Sequence, residues 1–171
     1  MAISLKDLQD RAAIRDVLER YCRGIDRLDA DLVNGVYWDE ALDNHGIYKG
    51  KGKEFAAFVI PLLREHCRAT MHTLGQSMIE FDGSRAKAET YFVAYHCGLE
   101  EGRELIETSA GRYVDHFDER DGEWRILDRV VVMEWTRLEH DVKETNVPRE
   151  RFMQGRRDRS DQVYWARHRQ E

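Results

Sequence analysis

Proline is nearly absent from this chain of 171 residues; the two present are Pro61 and Pro148. There is no Pro/Gly-rich tract, no low-complexity run and no internal repeat. Nothing therefore marks a linker, and the length suits one domain with a real core. Cysteine is scarce as well. Cys22, Cys67 and Cys97 are an odd number without CxxC spacing, which excludes a paired disulfide framework and a zinc knuckle. A reducing compartment is the simplest home. No apolar run approaches the ~18 residues of a membrane span, and the opening MAISLKDLQDR holds no apolar leader core. A cytoplasmic protein without a membrane partner is the expectation. Basic charge is also in deficit: 27 Lys and Arg stand against 33 Asp and Glu, a net charge of −6. A nucleic-acid partner, which needs a basic face, is not expected.

Several chemical signatures are missing too. No HxH, HExxH or 2-His-1-carboxylate spacing joins His45, His72, His96, Asp26 and Asp43, so no metal is expected. There is no GxSxG elbow, no GxGxxG and no P-loop; GKGKE at 50–54 lacks the GK[ST] ending and reads as a flexible loop, a candidate lid. None of the cysteines has a nearby base to make it a nucleophile. No cofactor is called for.

What is present is a clear change of period. Ser4 and Asp7 form a capping box ahead of Leu5, Leu8, Ala12, Ile14, Val17, Leu18 and Tyr21, which predicts a helix to about Ile25. Asp29 caps a second helix over Ala30–Tyr37. ALDNHGIYKGKG reads as a short strand and a glycine-rich turn. Glu54–Cys67 is helical again, with a kink or break at Pro61. From residue 70 the pattern is that of strands: Thr70–Phe81, Ala86–Leu99, Leu105–Phe117 and Trp124–Arg137, with Asp121-Gly122 as a tight hairpin turn. Helices first and a long antiparallel meander after them predict an α+β fold, helices packed on one face of a curved sheet around an apolar interior. Residues 1–140 make this domain. Residues 141–171 are a polar extension whose arginines (Arg149, Arg151, Arg156, Arg157, Arg159) are interrupted by Glu150, Asp158 and Asp161 and read as a solvated tail, with a neighbouring subunit as a surface to rest on.

YCRGID, closing the first helix, sets Tyr21 and Asp26 about 140° apart on a regular helix, so they share a face only if the helix turns near Gly24. His72 and His96 lie on neighbouring strands, and histidine both takes and gives protons near neutral pH. Phe92 shares strand parity with His96. His45 ends the first short strand, followed by Tyr48; Arg137 closes the last strand and suits an oxygen-rich group. Arg112 reads as structural.

The segments YCRGIDRLD, the HG of DNHGIYKG, the MH of ATMHTLGQ and GRYVDHFDERDGEWRILDRVVVMEW together resemble the SnoaL-like branch of the nuclear transport factor 2-like superfamily, over roughly residues 5–138. The resemblance implies a cone-shaped α+β barrel, usually a homodimer or homotrimer. It brings in cofactor-free enzymes (scytalone dehydratase, bile acid 7α-dehydratase, ketosteroid isomerase, polyketide cyclases, diarylpropane formaldehyde lyases) and also non-catalytic modules such as dioxygenase small subunits. By that likeness His72 is the general acid/base, Asp26 orients it, Tyr21 donates to the leaving or carbonyl oxygen and His96 assists, while His45, Tyr48, Phe92 and Arg137 bind substrate. The implied function is a cofactor-independent lyase acting on a hydrophobic hydroxylated aromatic or polycyclic compound, by dehydration or with formaldehyde release from a lignin-derived diarylpropane diol. The alternatives are an isomerase or cyclase of a ringed substrate, and a non-catalytic binding or subunit module.

Overall fold

Ser4 begins the first helix as its sequence predicts. Its hydroxyl accepts the Asp7 amide at 3.0 Å, and the Asp7 carboxylate accepts the Ser4 amide at 2.9 Å. The computed structural model describes residues 4–142 and 147–164. Helix α1 runs Leu5–Arg27 and stops at Leu28, which takes a left-handed conformation. The helix does not turn at Gly24, so the condition for Tyr21 and Asp26 to share a face is not met. That glycine instead lets α2 approach: a Cβ on it would sit 2.7 Å from Val33 Cγ2. Helix α2 spans Ala30–Gly35, capped by Asp29. It ends short of the expected Tyr37 because Tyr37 pairs with a later strand and opens β1 (Tyr37–Asn44).

GKGKE is not a lid. Lys49–Lys51 form the edge strand β2, and Gly52 starts α3 (Gly52–His66) against the Tyr37 ring, where a side chain would overlap it. Pro61 lies inside α3 without breaking it. The lost hydrogen bond and ring clash cost about 3 kcal/mol, and the buried Ile60 and Leu63 on either side hold the helix against the core.

Four long strands follow: β3 (Cys67–Asp82), β4 (Arg85–Glu100), β5 (Arg103–Arg120) and β6 (Glu123–His140). Each extends beyond its predicted ends, because ladder pairing continues past the apolar stretch. Asp121-Gly122 makes the predicted hairpin turn with both φ angles positive. The sheet order is β2-β1-β6-β5-β4-β3, antiparallel except for the β1–β6 pair. The fold is thus α+β, helices on a curved and mostly antiparallel sheet. The sheet is open, with β2 and β3 as its edges, and helices cover the concave side. Among the described residues no helix is long and apolar enough to cross a membrane.

Strand register lines up the concave face in rows. His72, Ala94 and Ser109 stand opposite one another; Thr70, His96 and Glu107 form the next row; Leu74, Phe92, Gly111 and Met133 another. Deeper in the sheet Asp115 faces Arg129, both 0% exposed, joined by two hydrogen bonds of 2.7 and 2.8 Å. The guanidinium lies 4.3 Å from the centres of both the Tyr21 and Tyr113 rings. Burial alone would lower its pKa, but the Asp115 carboxylate outweighs that and holds it well above the usual arginine value.

The described part of the C-terminal extension folds back on its own chain. Tyr164 donates to Asp29 at 2.7 Å, Arg27 donates to the Arg156 carbonyl at 3.2 Å, and Arg157 donates to the carbonyls of Leu63 (3.0 Å) and Cys67. The arginines read as solvated are therefore partly engaged, because the α3–β3 junction leaves carbonyls that need donors.

Removing one member of the buried pair should strand a charge. Arg129→Met is expected to lower unfolding stability by about 3–5 kcal/mol, and Arg129→Met combined with Asp115→Leu should recover much of that loss. Urea denaturation midpoints of the two variants check it.

Candidate active site

Tyr21 and Asp26 leave α1 in different directions, and each reaches a different histidine. Asp26, 8% exposed, points to the β3 edge of the sheet. One of its oxygens accepts the His72 backbone amide at 2.9 Å, and the other lies 2.7 Å from His72 Nδ1. Burial alone would raise the Asp26 carboxyl; the hydrogen bonds and charge of His72 overcome this and hold it below the usual carboxylate value. An ionised Asp26 accepts only, so Nδ1 carries a proton and Nε2 is left for another partner. The His96 ring stands perpendicular to His72, centroids 5.8 Å apart. Its Nδ1 is buried with no partner. Burial, then the neighbouring His72, keep His96 below the ordinary histidine value of 6.5.

Tyr21 points to the other flank of the sheet. Its hydroxyl lies 2.8 Å from His45 Nε2, in the turn after β1. His45 Nδ1 is hydrogen-bonded to Asp43, and the other oxygen of Asp43 accepts the Tyr37 hydroxyl. The His45 ring stacks on Phe55 at 4.0 Å. Burial pushes its pKa down; Asp43 opposes that without reversing it. His45 is therefore a neutral imidazole in a mostly apolar wall.

Both units face one cavity of about 420 Å³, a size that suits a small organic molecule. Its remaining walls include Phe92, Val59, Leu63, Tyr113 and Met133, with Glu107 and Ser109 near His96. On the far side of α1 lies a second cavity of about 380 Å³, lined by Arg15, Arg23, Arg27, Asp26 and His72. Asp26 and His72 thus form a partition between an apolar chamber and an arginine-rich one.

Six of the eight residues singled out from the sequence meet here: Tyr21, Asp26, His45, His72, Phe92 and His96. Two do not. Tyr48 sits behind Phe55 (5.3 Å between centroids) and gives its hydroxyl proton to the Lys51 carbonyl at 2.8 Å, so it braces β2 rather than lining the cavity. The Arg137 side chain is 68% exposed and pairs with Glu139 at 3.1 Å, because it falls on the solvent side of β6. Arg112 is structural as read, bridging Glu89 and Glu134 on the outer face. Sequence reasoning missed Asp43, Asp115 and Arg129 as supports of the site. The signal for the last two was a lone acid in YVDHF and a lone base in LDRVVV, single charges inside apolar strands that need a partner. Among the described residues no three His, Cys, Asp or Glu side chains converge as metal ligands.

The SnoaL-like domain family matches residues 6–130 of the chain. No curated protein matches it significantly by sequence. Among solved structures, hexachlorocyclohexane dehydrochlorinase LinA-type3 from Novosphingobium barchaimii LL02 is similar with a TM-score of 0.70 and 21% identity, covering 84% of this chain and 98% of that one. A protein of Novosphingobium aromaticivorans DSM 12444 provisionally assigned as a scytalone dehydratase gives 0.67 and 18%, over 81% and 91%. The beta subunit of a provisionally assigned aromatic-ring-hydroxylating dioxygenase from the same organism gives 0.61 and 22%, over 75% and 91%. At these identities the likeness is one of fold.

The buried neutral histidines make stability depend on pH. His45 and His96 have folded pKa values below 6.5, so the unfolded chain binds their protons more readily. Their stabilising contribution is complete above that value and is lost as pH falls through it. Urea unfolding at several pH values should show stability falling between about pH 7 and 5, by up to ~1.4 kcal/mol per unit for each histidine. His96→Gln should make the slope shallower.

Proposed function

Starting from the fact that the chain belongs to the SnoaL-like family, we propose that it is a cofactor-independent lyase working by proton transfer in a dry apolar cavity. The observation that carries this is the pair of histidine units, Asp26–His72 and Tyr21–His45, on opposite flanks of one chamber. A molecule held between them meets a group that takes a proton at one end and a group that gives one at the other, which is what an elimination needs. Apolar walls strengthen both transfers once a bound substrate displaces water from them. Phe92, stacked on Tyr113 at 4.3 Å, offers a flat aromatic surface, which suits a hydroxylated aromatic or polycyclic substrate. Loss of water is the reaction proposed, with formaldehyde release where the substrate is a diarylpropane diol. An isomerase of this fold would use a carboxyl held basic by its pocket. Asp26 is held the other way, by His72, and this favours the lyase. A cavity of about 420 Å³ that side chains leave unfilled favours catalysis over a purely structural module.

We also propose that the outer face of the sheet, where Met71, Tyr91 and Trp135 are about half exposed, joins two or three copies. Sedimentation equilibrium should return a dimer or trimer; a monomer at micromolar concentration would reject it.

The first test is turnover by EDTA-treated protein of a panel of hydroxylated diaryl and steroid-like compounds, followed by mass spectrometry with a formaldehyde assay. Loss of the mass of water, alone or with formaldehyde, is expected. His72→Ala and Asp26→Asn should each reduce kcat by about 10²-fold or more. Compounds that bind and emerge unchanged would sink the lyase reading, and an unchanged mass with a shifted absorption spectrum would replace it with the isomerase.

A further inference from the structure

We infer that Asp43 is a positioning residue: held by Tyr37, it fixes the proton of His45 on Nδ1, so that the Tyr21–His45 pair takes a proton from the substrate and His72 is left to give one. This rests on the lyase reading and gives it a direction, opposite to the one the sequence suggested for Tyr21.

The hydrogen-bond partners around Asp43 fix where the protons lie. A carboxylate only accepts. Both oxygens of Asp43 are committed, one to His45 and one to the Tyr37 hydroxyl. The residue is 1% exposed, so water cannot readily rearrange the pair. His45 Nδ1 must then be the donor. In a neutral ring Nε2 is the acceptor, and its partner at 2.8 Å is the Tyr21 hydroxyl. The tyrosine proton therefore points at His45, and its lone pairs are left for the cavity. Arranged so, Tyr21 is a poor donor to substrate and a ready acceptor.

The step balances. A substrate proton passes to Tyr21 Oη while the tyrosine's own proton passes to His45 Nε2, and the imidazolium formed rests against the Asp43 carboxylate. The electron pair left behind forms the new double bond. At the other flank the carbon–oxygen bond breaks, and the departing hydroxyl takes the Nε2 proton of His72, which in this scheme enters the cycle as an imidazolium with its Nδ1–H on Asp26, and leaves as water. Once product has gone, His45 returns its proton to Tyr21 Oη, the proton taken from substrate passes to water entering the emptied chamber, and His72 Nε2 takes one back from that water. The geometry has the logic of a hydroxyl–imidazole–carboxylate relay, with a phenol in place of the hydroxyl.

The test reads the tautomer directly and needs no substrate. Long-range proton–nitrogen NMR of the wild-type protein, with His45 assigned by its loss in His45→Gln, should show Nδ1 protonated and Nε2 bare at neutral pH. In Asp43→Asn the amide must still accept the Tyr37 proton, so its NH₂ turns toward His45 and drives the ring proton to Nε2. If Nε2 carries the proton in the wild type, or if Asp43→Asn leaves the tautomer where it was, the inference is overturned. Should that variant not fold, the wild-type spectrum decides alone. On any compound of the panel that is turned over, Asp43→Asn should lower kcat by about 10²–10⁴-fold with little change in KM, and Tyr21→Phe added to it should cost little more. Independent, multiplying losses would mean that Tyr21 does not work through His45. If no compound is turned over, the lyase reading fails while the tautomer result still stands or falls by itself.

Discussion

The buried Arg129–Asp115 pair is the constraint on which the rest of the site depends. It joins the two central strands by a bidentate bridge, and its guanidinium lies against both the Tyr21 and Tyr113 rings, which pack edge to face on each other. A charge so placed is costly to desolvate; the Asp115 carboxylate and two aromatic faces offset that cost, while Nη1 of Arg129 is buried with no hydrogen-bond partner among the described residues. In return it fixes α1 over the sheet at a single depth. That depth sets where the Tyr21 hydroxyl emerges, and so where His45 must meet it. The positive charge also adds to burial in keeping His45 neutral, against the pull of Asp43.

The five-residue step from Tyr21 to Asp26 then acquires a meaning that a shared face would not give. Because α1 stays regular, the two side chains diverge by about 140°, and the helix hands one group to each flank of an open sheet. The histidines that receive them come from β3 and from the turn after β1, with β6, β5 and β4 between them in the sheet. A single helix thus spaces two histidine units across the width of the chamber. Gly24, lying between them, serves neither; it lets α2 seat against α1 and keeps the helix from drifting off the sheet.

Much of this was legible in the sequence, for reasons that differ by residue. The change from a period of 3.6 to one of 2 after residue 70 identified the class and the four long strands. His72 and His96 were paired by the family resemblance; alternation alone could not say which way His96 points, because both faces of its strand are partly apolar. Tyr48 and Arg137 misled because strand parity near a strand end or a short edge strand cannot be read from alternation alone; β2 has only three residues. The role of Asp43 was illegible for another reason. Two residues from His45 on a strand end, it looked like any turn acid, and only tertiary packing shows that both its oxygens are used. Arg129 and Asp115 were written in the chain as isolated charges within apolar strands, but their pairing depends on the β5–β6 register, which carries bulges on either side.

The histidines of the two units, His45 and His72, differ in their surroundings. His45 stacks on Phe55 and meets the Tyr21 hydroxyl, with 15% of its side chain exposed. His72 lies in the partition that α1 makes with β3, and its other side opens to an arginine-lined cleft. His72 is the more enclosed of the two, 8% exposed, yet it borders both cavities. The open sheet produces this arrangement: its concave face under α1 and α3 makes the chamber, and the cleft between α1 and β3 gives the Asp26–His72 pair a second side.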